Sequence, residues 1–263
     1  MEKVVHTKNF EQWSIVAKTY HDVRPTPPKA IIKIILSWLR KNPDIVVDVG
    51  CGTGLSTIVW KDVAEKIVGI EPNAKMRKEA EVNANCDRIV FIDGLANETN
   101  LPADYADIIT VSQAFHWMDI DSSLLEFYQV LKKGGILAIY DFELPPIFDW
   151  EGEKAFLQLR KKCSEVYYDQ VNPPVQNDKA TYYERIKEFG KFRHLREVPC
   201  YGVEKYSLAR LLGFLLNISN APFAMEHDCT IENDIDQLFE LIRTRCSEEV
   251  EIIFPYTMVM AVK

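Results

Sequence analysis

The chain has 263 residues, 47% apolar and 27% charged, the balance of an ordinary globular protein that buries its core without disulfide or metal staples. Its formal net charge of −8 argues against a nucleic-acid partner, because a duplex binder displaces counterions from phosphate with a basic surface. No apolar run approaches the ~20 residues of a bilayer span, so no membrane partner is expected either.

The opening segment, MEKVVHTKNFEQW, has no apolar stretch of the kind a secretory leader carries, and the expected location is the cytoplasm. Residues 30–39 (AIIKIILSWL) are apolar nearly all round, which suits a helix packed on a sheet; Pro43 ends it. Residues 45–49 form a short apolar run closed by glycines and read as a buried parallel strand. A helical stretch follows. Strands are then expected at 67–70, 89–92, 107–111 and 135–142, with helices at 73–82 and 123–131 between them. Strands alternating with helices imply βαβ units and a parallel sheet. The alternation stops at Leu144-Pro145-Pro146. From 144 to 190 the pattern is helical with a Pro-rich break at Asn172-Pro173-Pro174, an insertion after the fifth strand. Strand, helix, helix and strand follow at 193–206, 208–217, 234–246 and 257–262. The cysteines at 51, 86, 163, 200, 229 and 246 show no CxxC pair and no zinc spacing, so free thiols and no metal site are expected.

The most informative stretch is Asp48-Val49-Gly50-Cys51-Gly52-Thr53-Gly54, where glycines leave a strand and open a helix. Glycines there let the backbone approach a ligand that a Cβ would exclude. A dinucleotide fold uses G-x-G-x-x-G with the helix facing a pyrophosphate. Here the spacing is G-x-G-x-G, position 55 is Leu, and an acid, Asp48, precedes the first glycine. An acid suits a cationic group better than a pyrophosphate. Glu71, ending the second strand, is placed to accept both hydroxyls of a ribose.

DVGCGTG resembles motif I of the class I S-adenosylmethionine-dependent methyltransferases, whose ligand carries an ammonium and a sulfonium. Further elements are similar to a small-molecule subfamily that includes the trans-aconitate methyltransferase-like proteins. They are the aromatic-x-x-x-Ala-x-x-Tyr-x-x-x-Arg-Pro pattern of Trp13, Ala17, Tyr20, Arg24 and Pro25, then Gln113-Ala114-Phe115-His116-Trp117, and the late segment Ser207-Leu208-Ala209-Arg210-Leu211-Leu212-Gly213. The resemblance implies a Rossmann-like, doubly wound, mostly parallel seven-stranded α/β sheet with the helical insertion after strand 5. It implies one domain over 1–263, with residues 1–29 as an arm closing the site and 144–190 as a cap.

The same resemblance implies S-adenosyl-L-methionine as cofactor. Its contacts would come from Tyr20, Arg24, Asp48, Gly50, Cys51, Gly52, Thr53, Gly54, Glu71, Pro72, Asn73, Met76, Ala96, Asn97, Gln113 and Ala114. Arg24 would face the cofactor's carboxylate. Relatives often carry acids in the slots of Leu95 and Asn97, so the adenine contact departs from the pattern. The acceptor would be a small molecule, with O- or carboxyl-methylation favoured, held by Tyr20, His116 and Trp117. His116 is the candidate base by titration range. Phe148, Trp150, Tyr167 and Tyr168 of the cap are expected over the acceptor. The alternative from another class is a module that binds the same cofactor and senses without turnover. Asn172-Pro173-Pro174-Val175 and Pro199-Cys200 imitate motifs of amino-group and cytosine-C5 methyltransferases, but both fall at the wrong place in the chain. Acceptor identity and oligomeric state are open at this level.

Overall fold

The computed structural model describes residues 17–171 and 176–263. Trp13 of the N-terminal pattern and the Asn172–Val175 decoy lie outside the described residues. Strands β1 (Ile45–Val49), β2 (Lys66–Ile70), β3 (Ile89–Ile92), β4 (Ala106–Ser112), β5 (Leu131–Phe142), β6 (His194–Ser207) and β7 (Glu249–Val262) share one sheet. Their order is β3-β2-β1-β4-β5-β7-β6. β1 to β5 run parallel, and β7 runs antiparallel to both β5 and β6. The strand order reverses between β1 and β4, the place where open α/β sheets leave a crevice for ligands.

The period-2 alternation of the strands divides the core in two. Val46, Ile108, Ile136, Ala138 and Tyr140 point to one face; Val47, Ile109, Leu137 and Ile139 point to the other. The first face is covered by α2 (Lys29–Leu39), through Ile31 and Ile35, and by the later helices α8 (Leu208–Asn217), α9 (Ala221–His227) and α10 (Thr230–Arg245). α5 (Ile120–Val130) and α7 (Tyr182–Phe189) cover the second, through Leu124, Phe127 and Ile186. α6 (Trp150–Gln170) follows β5 and packs on α9 and α10. Asp149 starts α6 by accepting the Gly152 N–H, and a bidentate contact from Arg245 ties that start to the end of α10.

Three elements differ from the sequence expectation. β5 begins at Leu131, ahead of its Gly-Gly turn, because Leu131 pairs with Ala106 before the register shifts and resumes at Ile108 with Ile136. β7 begins at Glu249 rather than 257, because β6 pairs with it along its whole length. Pro255 fits in β7 since its carbonyl is used, accepting from the Glu143 N–H. α9, absent from the sequence reading, starts with Pro222 in its first turn, where a missing N–H costs nothing.

Candidate active site

The glycine turn follows β1 and is pinned at the carboxyl edge of the sheet: the N–H groups of Gly50 and Cys51 both donate to the Ile70 carbonyl at the end of β2. Gly50 has φ 70°, and a Cβ there would lie 2.7 Å from the Cβ of Ala114. Glycine is therefore required twice over, by conformation and by the turn after β4 that presses on it. The turn leads into the short helix α3 (Leu55–Ile58).

A cavity of about 750 Å³ opens above the ends of β1, β2, β4 and β5. It is within the usual range for a small-molecule site. Of the residues anticipated from sequence, it gathers Tyr20, Arg24, Gly50, Gly52, Glu71, Pro72, Met76, Ala96, Asn97, Gln113, Ala114, His116 and Trp117. Cys51 and Thr53 line a smaller adjoining pocket of about 70 Å³ that also touches Tyr20 and Arg24.

Glu71 is buried at the cavity wall. Its two oxygens accept the N–H of Gly52 at 3.0 Å and of Asn73 at 2.9 Å. Burial pushes its carboxyl above the ordinary range, against the opposing pull of those two N–H groups. An ionised carboxylate offers about four acceptor positions, so each oxygen keeps one for a ligand.

Helix α1 (Ala17–Val23) crosses the glycine turn and brings Tyr20 and Arg24 to the cavity. The Arg24 guanidinium lies 4.4 Å from the Tyr20 ring and donates from Nε to Asn217 Oδ1 at 3.1 Å. Its end is held by Arg210, which donates to the carbonyls of Asp22 and Arg24, and by the Tyr206 hydroxyl, which donates to the Val23 carbonyl. Arg210 comes from the late segment that the sequence comparison singled out.

Three anticipated contacts are corrected. Asp48 does not face the cavity. It is fully buried, and its carboxylate accepts the hydroxyls of Ser56 and Thr57, each at 2.7 Å, and of Thr110 at 2.8 Å. It braces β1 to α3 and β4; burial pushes its carboxyl up while the three hydroxyls pull it down. Asn73 is spent on capping α4 (Ala74–Ala84), accepting from the N–H groups of Lys75 and Met76. Gly54 lies behind the turn, where a Cβ would meet the Phe91 ring at 3.1 Å.

The aromatic cap is also corrected. None of Phe148, Trp150, Tyr167 and Tyr168 lines the cavity; Trp150 is 66% exposed and Tyr168 62% exposed, while Tyr167 packs on Phe223. From this stretch the lining side chains are instead Leu144, Arg160, Gln176 and Lys179, joined by Asn217, Ile218 and Asn220 at the end of α8. Sequence reasoning passed over these residues because nothing in their spacing marks them. Lys179 is tied inward by Asp141, 3.4 Å away at the end of β5, and donates from Nζ to Gln113 Oε1 at 3.1 Å.

His116 sits in a short 3-10 turn, Phe115–Trp117, after β4. It lines the cavity, but burial, with Lys179 and Arg24 nearby, holds its imidazole down at about 3. At neutral pH it is uncharged and a weak base, far from the matched value that general-base catalysis prefers. Among the described residues no cluster of His, Cys, Asp or Glu could hold a metal ion, and no single helix is long and apolar enough to cross a membrane. Pro199-Cys200 lies within β6, away from the cavity lining.

A mostly parallel sheet with this order, a glycine turn over its switch point and a buried acid at the end of β2 match the Rossmann-like methyltransferase fold. Known proteins agree. Residues 47–139 match a methyltransferase domain family. A Dictyostelium discoideum protein described as a methyltransferase is 26% identical over 185 residues, covering 65% of this chain and 69% of that one. CRG1 of Saccharomyces cerevisiae, described as an S-adenosylmethionine-dependent methyltransferase, is 26% identical over 148 residues, 54% of this chain and 49% of CRG1. A solved structure from Anaeromyxobacter dehalogenans, described as a type II methyltransferase, superposes with TM-score 0.72 at 19% identity, covering 91% of this chain and 97% of that one. The chain is a class I S-adenosylmethionine-dependent methyltransferase, and it therefore also takes a methyl acceptor.

Proposed function

We propose that the cavity holds S-adenosylmethionine at its glycine-turn end and a small-molecule acceptor at its His116–Trp117 end, and that transfer is to an oxygen, with a carboxylate favoured. The observation that carries this reading is the single cavity touching both Glu71 and the cluster of Tyr20, His116 and Trp117.

The residues fit the cofactor. Each Glu71 oxygen keeps one acceptor position beyond its backbone N–H, which suits a pair of ribose hydroxyls. Gly50 and Gly52 give backbone access, and Pro72 and Met76 adjoin the ribose. Ala96 and Asn97, in the turn after β3, would adjoin the adenine, and Gln113 and Ala114, after β4, would complete the cofactor's lining. The Arg24 fork, committed only at Nε, suits the carboxylate. Cys51 and Thr53 support the turn from the smaller pocket. Asp48 acts at one remove, by holding the turn. When bound, the cofactor supplies an already activated methyl group.

The chain's own task is then alignment and exclusion of water. Tyr20 on α1 and Arg24 just after it close one side; His116 and Trp117 close another. Approximation of this kind supplies on the order of 7–11 kcal/mol at best. A carboxylate acceptor needs no proton removed, which agrees with the weak basicity of His116. His116 then shapes the pocket instead of moving a proton.

The test is transfer of labelled methyl from S-adenosylmethionine to a panel of acids, alcohols, phenols and amines, with His116→Asn in parallel. We expect labelled ester from one or more acids, and a His116→Asn rate within about threefold of the parent. Preferred labelling of an amine would sink the oxygen reading. Loss of the maximal rate by about a hundredfold in His116→Asn would restore His116 as a base.

A further inference from the structure

His21 is not explained by the cofactor cavity, which it does not line. It lies on α1 between the two residues that do, and its half-buried ring joins three elements. Nδ1 is 3.2 Å from Oγ1 of Thr53 in the glycine turn and 3.0 Å from Nδ2 of Asn83 in α4. The same Asn83 Nδ2 reaches the Thr53 carbonyl at 3.4 Å. Thr53 itself is buried. A carboxamide N–H₂ only donates, so with the Asn83 amide in this orientation Nδ1 accepts, which a neutral ring with its proton on Nε2 provides.

We propose that His21 is a positioning residue: as a neutral imidazole it fastens α1, with Tyr20 and Arg24, onto the glycine turn, so that acidification loosens the arm and weakens cofactor binding. The inference rests on the reading that α1 contacts the cofactor. A protonated ring presents Nδ1–H to the Asn83 donor. Turning the Asn83 amide to accept that proton would surrender its contact with the Thr53 carbonyl, so a bond is lost either way. Three groups favour the charged form: Asp22 on its own helix, the Thr53 backbone in the glycine turn and Glu79 on α4. Burial outweighs them and keeps the imidazole below its ordinary value. The docked arm therefore prefers the neutral ring, and its grip fails as pH falls.

The test is calorimetry of S-adenosylhomocysteine binding between about pH 7.5 and about pH 5. Three proteins are compared: the parent, His21→Asn, whose Oδ1 replaces Nδ1 as a non-titrating acceptor, and His21→Phe, which keeps the ring without it. We expect parent affinity to fall about two- to tenfold on acidification, with a clearly smaller fall in His21→Asn. His21→Phe should bind about two- to tenfold more weakly at the higher pH. An equal acid loss in His21→Asn would assign the effect to Glu71 or another group and overturn the proposal. So would parent-like affinity of His21→Phe. Failure of all three proteins to bind at the higher pH would instead remove the cofactor pocket on which the inference stands.

Discussion

Glu71 shows how much one side chain does in this site and how its chemistry can be measured. Its two oxygens already hold the glycine turn and the start of α4 through the N–H groups of Gly52 and Asn73. Glu71→Gln keeps the shape but turns an N–H₂ toward one of those donors. We expect cofactor affinity to drop by about 1–3 kcal/mol and the unliganded protein to lose about 1 kcal/mol of stability. Calorimetry with S-adenosylhomocysteine and denaturant melts read the two effects separately; unchanged affinity would remove Glu71 from the ribose subsite. At this scale the sequence was legible where an acid sits at a strand end beside a glycine turn. It misled at Asp48. The acid is real, but its partners are Ser56, Thr57 and Thr110, and a side chain's direction out of a buried strand depends on neighbours that spacing does not reveal.

Among the elements, the opposite edge of the sheet is braced by another acid. Asp107, at the start of β4, accepts the N–H groups of Asp44 and Ile45 and pairs with Lys41 and Lys132 at 2.8 Å each. It thus fastens β1, β4 and β5 together. Despite the cost of burial, the bonds from Lys132, Lys41 and Ile45 hold its carboxyl down at about 2, against an ordinary 3.8. A folded-state value below the unfolded one gives stability that is complete above about pH 4 and lost as pH falls toward about 2. The difference corresponds to about 2 kcal/mol. Asp107→Asn should therefore be less stable by about that amount at neutral pH in urea melts, with the gap closing in acid. Equal stability at neutral pH would show that the bracing contributes nothing. Strands β1 to β4 were readable because short apolar runs between glycines and helices leave few alternatives. The early start of β7 was not, since its first half is stabilised by pairing with β6, a contact made only after folding.

For the whole molecule, the cavity couples ligand to fold. A ligand that binds only the folded chain stabilises it, by about 2.7 kcal/mol at a concentration of 100 times its Kd. S-adenosylhomocysteine should raise the melting temperature and NAD should leave it unchanged, since the turn lacks dinucleotide spacing. A shift with NAD alone would overturn the cofactor assignment. The sequence by itself determined the α/β class and the mostly parallel sheet, and its resemblance to the class I methyltransferases implied the cofactor. The fold is written in local signals: strand periodicity, a glycine turn and an acid one strand later, all within residues 45–142. Only the tertiary structure decided which side chains wall the cavity. Arg160 and Lys179 line the cavity while Trp150 and Tyr168 face solvent, and Asn217 meets Arg24 across the site. The reason is geometric: a pocket wall is set by how helices far apart in sequence are rotated when they pack, and that rotation is fixed by the buried faces they share.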